Sequence, residues 1–225
     1  MVTTMSRGTG ASGRLRPNAN AAISSMLLFA ALTGNASCHA QEKANVLPET
    51  QAGRQIMVEL QELGPVERDR KIRTANFDFL FHIGRFDTPD FKFYGGLTVS
   101  RSRGAITRRT DSAQTGTLMD ENLDSTATGA GPVLAIRAEF PHSGNVSASL
   151  DGSAGILLYD RDFPAGASRY DFMFRYGPTL SYRLNGRQAL SLTLRGMHVS
   201  NGQGINRHNP QYNAAGLGVQ FLGAF

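Results

Sequence analysis

The 225-residue chain holds one cysteine, Cys38, so it can close no internal disulfide. No apolar run is long enough to cross a bilayer as a helix, which takes about 20 residues; the stretch from Ala21 to Leu32 falls short. Beyond it, no apolar pattern repeats with a helical period, which excludes a helical bundle. Zinc-ligand spacings, phosphate-cradling glycine motifs and nucleotide fingerprints are missing as well, so no metal and no cofactor is implied. Charge is nearly balanced. Lys and Arg number 23 against 18 Asp and Glu. Three of the basic residues, Arg7, Arg14 and Arg16, lie in the first forty positions, which contain no acid, and this leaves 20 against 18 for the rest. The basic balance is therefore partly an N-terminal effect and gives no reason to invoke nucleic acid.

That N-terminus has its own logic. A basic stretch, the short apolar run and the small residues around Cys38-His39-Ala40 have the pattern of a secretory signal peptide. The expected organisation is a signal peptide over residues 1–40, removed on export. A periplasmic segment over 41–53 and one β domain over 54–225 follow it. Asn35 is a poor occupant of a lipoprotein processing site, so Cys38 is read as part of the removed segment.

What the rest does contain is alternation with period two, the pattern of strands whose faces meet different surroundings. From Tyr170 to Leu184, Tyr170, Phe172, Phe174, Tyr176, Leu180, Tyr182 and Leu184 fall on one face, and Asp171, Arg175, Thr179, Ser181 and Arg183 on the other. The same split recurs at Ile56–Gln61, Phe77–Ile83, Phe91–Ser100, Leu134–Phe140, Val146–Ile156, Leu190–Arg195 and Gly216–Phe225, which predicts eight strands.

Alternation does not say which face is inside. Three features favour a membrane barrel with its apolar face toward lipid over a soluble exported β-sandwich. Connections after the second, fourth and sixth strands, around Thr88, His142 and Asn185, are short. The others are longer, above all the one from about Gly104 to Gly129 after the third strand. Short periplasmic turns and long outer loops are the outer-membrane pattern, and an even strand count returns both termini to the periplasm. Arg137, Glu139, Asp151, Arg175 and Arg183 on the polar faces can neutralise one another in a narrow lumen, and the chain ends on an aromatic, Phe225. The predicted fold is an all-β, eight-stranded antiparallel up-and-down transmembrane β-barrel in the bacterial outer membrane.

Chemistry concentrates in Arg195–Asn213. His198 and Ser200 are two apart, so they share a face. Their parity is that of Leu190, Leu192 and Leu194, so both point toward lipid, at the outer end of a strand that rises from a periplasmic turn. Polar groups on such a row lose water and need a reason to be there. A hydroxyl activated by an imidazole cleaves esters through an acyl-enzyme, so the placement suggests an esterase whose substrate arrives sideways from the outer leaflet.

His198-Val-Ser200-Asn201, a glycine-containing stretch and Asn209-Pro210 before the last strand resemble the PagL-type lipid A 3-O-deacylases. The resemblance implies His198 as general base, Ser200 as nucleophile and Asn201 at the oxyanion, with Gly202 and Gly204 both open as a second donor. It implies lipid A of lipopolysaccharide as the partner, and it leaves monomer and homodimer open. One position departs from the family. Where its members carry a Glu that orients the His, this chain has Asn213, and no carboxylate follows Asp171. A non-catalytic structural or lipid-binding barrel on the same framework is the alternative. His208 reads as a solvated loop residue and His82 as part of the lumen. Asp111, Asp120, Glu121 and Asp124 read as an acidic loop with no metal-loop spacing.

Overall fold

The computed structural model describes residues 55–86, 90–111, 118–202 and 210–225, and the side chains among these except those of 109–111 and 118–119. The expected signal peptide and periplasmic segment, Gly204, His208 and Asn209 lie outside the described residues.

Among the described residues nine strands form: β1 (Gln55–Pro65), β2 (Arg70–Phe86), β3 (Phe91–Asp111), β4 (Leu118–Asp124), β5 (Ala127–Glu139), β6 (Val146–Phe163), β7 (Ser168–Asn185), β8 (Gln188–Ser200) and β9 (Tyr212–Ala224). Eight of them pair antiparallel in a ring, β2-β1-β9-β8-β7-β6-β5-β3, and β3 pairs back onto β2 to close it. β4 stands outside the ring and pairs with the far end of β3 alone. The eight-stranded up-and-down barrel is thus present, but the expected loop from Gly104 to Gly129 is in large part strand. The connections expected to be long between the first two strands and between β6 and β7 are tight turns at Val66–Asp69 and Pro164–Ala167, because the flanking strands run further than their apolar alternation. Here the upper end of the barrel is the one carrying these two turns, β4 and the β8–β9 connection; the lower end carries the β2–β3, β5–β6 and β7–β8 turns.

Burial is inverted relative to a water-soluble domain. Outward rows are apolar and open, with Leu97 at 62 % exposure, Leu158 at 64 % and Leu192 at 55 %, whereas Glu59, Asp78, Arg137, Arg175 and Arg195 are buried inside. A continuous belt of exposed Leu, Phe and Val around a ring of strands is stable only against lipid.

Low in the lumen the buried ions Glu59, Asp78, Arg137, Asp151, Arg175 and Arg195 share partners, whereas higher up the buried Asp171 has no hydrogen-bond partner among the described residues at either carboxyl oxygen. Arg137 donates to both oxygens of Asp151, at 2.8 Å each, and to Gln220. Arg195 donates to Glu59 at 2.9 Å and to Asp151 at 2.7 Å. Arg175 pairs with Asp78 at 2.7 Å, and Thr179 and Thr193 donate to Asp151 and Glu59. A buried ion is costly unless both its charge and its hydrogen-bonding capacity are met, and this network meets both. The cavity left among these side chains is about 20 Å³, room for one water.

Above the ionic layer the lumen becomes aromatic and aliphatic. Ile72, Leu157, Phe163, Met173, Val199 and Tyr212 are wholly buried. The Phe163 ring packs at 4.5 Å on Tyr159 and edge-on to Tyr212 at 5.7 Å. The Tyr212 hydroxyl lies 3.1 Å from Thr74 and 3.3 Å from Ser102. This plug stiffens the wall on whose outer surface the site sits.

Candidate active site

On β8 the odd residues Ser191, Thr193, Arg195, Met197 and Val199 are buried, and Leu190, Leu192 and Leu194 face outward. His198 and Ser200 share the parity of those leucines and are half-buried at the upper end of the strand. No bulge interrupts the β8–β9 register from Gln188 to Val199, so the alternation reaches the site intact. Val199 and Tyr212, opposite each other across β8 and β9, point into the plug and anchor the backbone on both sides of His198 and Asn213.

Register sets His198 opposite Asn213, and His198 Nδ1 lies 2.9 Å from Asn213 Oδ1. A carboxylate does reach this place, from the other end of the chain. Asn213 Nδ2 donates to Glu67 Oε1, and Glu67 Oε2 is held by Arg70 at 2.8 Å. Glu67 sits in the β1–β2 turn. It comes beside Asn213 because β1 closes the barrel against β9, where Pro65 pairs with Ala214 and the Val66 amide bonds the Asn213 carbonyl at 3.3 Å.

This chain of partners fixes two orientations. An ionised carboxylate only accepts, so the Asn213 amide must turn its NH₂ to Glu67 and its oxygen to His198. An amide oxygen also only accepts, so His198 must donate from Nδ1, and its Nε2 lone pair is left free. An Asn standing alone beside a histidine can turn either way and favour the wrong tautomer; one clamped by a carboxylate cannot.

Ser200 closes β8 opposite Phe172. Asn201 follows it, fully buried. Gly202 then turns the chain at φ +78°, in the left-handed region, where a Cβ would also meet the Phe172 ring at 2.9 Å. The other candidates do not join the site. His82 stacks edge-on to Tyr94 at 5.5 Å, low in the barrel. Asp120 and Glu121 lie on β4 opposite Arg109 and Arg108 of β3, the strand on which Asp111 also lies, and Asp124 accepts from Thr126 at 2.9 Å. Among the described residues no three His, Cys, Asp or Glu side chains gather as a metal site.

The family described as lipid A 3-O-deacylase (PagL) matches residues 90–221, more than half of the chain. The matched span includes His198, Ser200 and Asn213 but not Glu67. Among solved structures, the chain is similar to the outer-membrane enzyme PagL at 13 % identity, covering 76 % of this chain and 99 % of that one with a TM-score of 0.40. It is also similar to the outer-membrane protein AlkL (12 % identity, 84 % and 96 % coverage, TM-score 0.33). Ail of Yersinia pestis is a third (16 % identity, 75 % and 99 % coverage, TM-score 0.32). No curated protein matches the chain.

Proposed function

The chain belongs to the lipid A 3-O-deacylase (PagL) family of outer-membrane barrels, and from that premise we propose that it removes a 3-O-linked acyl chain from lipid A by a Ser-His mechanism. The upper end of the barrel then faces outward, and Ser200 and His198 stand on the lipid-facing wall at the level of the outer leaflet. The ester reaches them laterally, its acyl chains lying along the apolar exterior of β8 and β9.

His198 Nε2 takes the Ser200 proton as Oγ bonds to the ester carbonyl carbon. The oxyanion is stabilised by Asn201 and a glycine amide, Gly202 or Gly204. The carbon–oxygen bond to the sugar breaks, and the departing alkoxide takes the proton back from His198. Water, deprotonated by the same nitrogen, then attacks the acyl-enzyme, the acyl–Oγ bond breaks, and the fatty acid leaves as Ser200 regains its proton. Throughout, the imidazolium that forms is held by Asn213, and Glu67 supports it one residue further out. The single observation that carries this reading is the His198–Asn213–Glu67 chain on the outward face. It supplies the orientation and the distant negative charge that an Asn in place of the family's Glu would lack.

The test is mass spectrometry of lipid A from a lipopolysaccharide-producing host expressing the wild type, Ser200→Ala or His198→Ala. Loss of one hydroxyacyl chain in the wild type alone is the expected result. Unchanged lipid A in all three, with the folded barrel recovered from the membrane, would instead favour a non-catalytic lipid-binding barrel.

A further inference from the structure

The outward rows of β2 and β3 change character as they climb. On β2 the exposed side chains run Phe81, Phe79, Phe77, Ala75 and then Arg73 and Lys71; on β3 they run Leu97, Val99 and then Arg101 and Arg103. A membrane strand uses about 9–11 residues to cross the hydrocarbon. β2 spends that length between Phe86 and Phe77, and β3 between Phe91 and Val99. The four cations therefore begin where the strands leave the lipid tails, on the rim that also holds His198.

Register makes the arrangement tighter. Arg73 lies directly opposite Arg103, and Ala75 opposite Arg101, so three guanidinium groups and an ammonium share one small area of wall. Like charges opposed across a strand pair destabilise it. Among the described residues none of the four makes an ion pair. The acids nearest on the same face are Asp69, two residues before Lys71 on the same outward row, Glu62, opposite Ala75 on β1, Asp124, opposite Ala105 and engaged by Thr126, and Asp160, engaged by the Thr128 amide and by Arg161. Two arginines set directly opposite each other with their ion-pairing capacity unused call for an anion between them. At this depth the anions available in quantity are lipid phosphates, and guanidinium forks fit phosphate oxygens two at a time.

We propose that Lys71, Arg73, Arg101 and Arg103 form a binding site for the phosphate groups of lipid A. The site lies three strands around the wall from His198, on the order of 14 Å at the usual strand spacing. A phosphorylated disaccharide headgroup can thus engage it while presenting an acyl ester toward β8. The proposal rests on the outer-membrane placement given above and not on the hydrolytic step.

The test uses the full barrel carrying Ser200→Ala, so that no lipid is consumed, in phosphatidylcholine nanodiscs titrated with bisphosphorylated lipid A. Arms with dephosphorylated lipid A and with phosphatidylglycerol run in parallel. Both Arg73→Gln/Arg103→Gln and Lys71→Gln/Arg101→Gln are expected to weaken binding of bisphosphorylated lipid A about tenfold, as loss of charge-assisted hydrogen bonds implies. Binding of dephosphorylated lipid A should not change. Arg161→Gln/Arg169→Gln removes the same charge from exposed positions of β6 and β7 and should leave all arms unchanged. Heat-modifiable migration certifies folding of each variant, and two independent patch variants guard against one that misfolds. Equal weakening by the control pair, equal weakening toward phosphatidylglycerol, or no weakening at all would overturn the site. An inert wild type in the lipid A assay would overturn hydrolysis and leave this result standing.

Discussion

At the scale of single residues, the main question is how an amide can serve where a carboxylate is expected beside a catalytic histidine. In a Ser-His-Asp triad, replacing the acid by its amide lowers kcat about 10⁴-fold, because the amide stabilises the wrong tautomer. Here Glu67 removes that freedom by accepting from Asn213 Nδ2. Glu67→Gln should therefore lower kcat on the order of 10- to 100-fold, as loss of an orienting outer partner does elsewhere, with KM little changed. Asn213→Asp alone sets two carboxylates in contact, a pair that resists joint ionisation, and should also lower the rate. The double exchange Glu67→Gln with Asn213→Asp keeps one carboxylate and one amide in reversed order, with every donor still facing an acceptor. Single-turnover deacylation of purified lipid A in detergent should recover for the double variant to within a few-fold of wild type. A double variant as slow as the slower single one would remove Glu67 from the mechanism.

At the scale of strands, β4 is dispensable to the ring, since it pairs with β3 alone while β3 keeps β2 and β5 as neighbours below. Excising residues 109–123 and joining the ends by a short Gly/Ser linker is expected to leave heat-modifiable migration and lipid A deacylation intact. Loss of the folded form would mean that β4 is needed for closure. β4 was also among the things hardest to read in the sequence, for a physical reason. Period-two contrast exists only where one face meets lipid and the other the lumen. Once β2 and β3 rise past the bilayer, outward Arg73, Arg101 and Arg103 and inward Thr74 and Ser102 are polar alike, and the alternation that marks a strand disappears. The eight segments inside the lipid were legible because their contrast is complete, and the parity of His198 and Ser200 followed from Leu190, Leu192 and Leu194 because no bulge intervenes. Glu67 had no such signal. It stands 146 positions from Asn213 and meets it only through the pairing of the first strand with the last.

At the scale of the whole molecule, the protein stabilises an inverted interior through a small number of many-partnered ions. Asp151 is the most connected of them. It accepts from Arg137, Arg195 and Thr179, with Ser149 at 3.2 Å, and so links β5, β6, β7 and β8 across the lumen. Its removal leaves two buried guanidinium groups short of charge, and the cavity among them admits about one water to compensate. Losing one member of a buried pair costs about 3–5 kcal/mol, whereas an exposed pair such as Arg161–Asp160, at 3.5 Å, contributes no more than about 1 kcal/mol. Asp151→Asn should accordingly lower the urea midpoint of the barrel in detergent far more than Arg161→Gln does. Deacylation by the fraction that remains folded should stay near wild type, because the aromatic layer of Phe163 and Tyr212 separates this network from His198. If Asp151→Asn instead slowed deacylation without moving the midpoint, the ionic layer would be coupled to the site rather than only holding the wall that carries it.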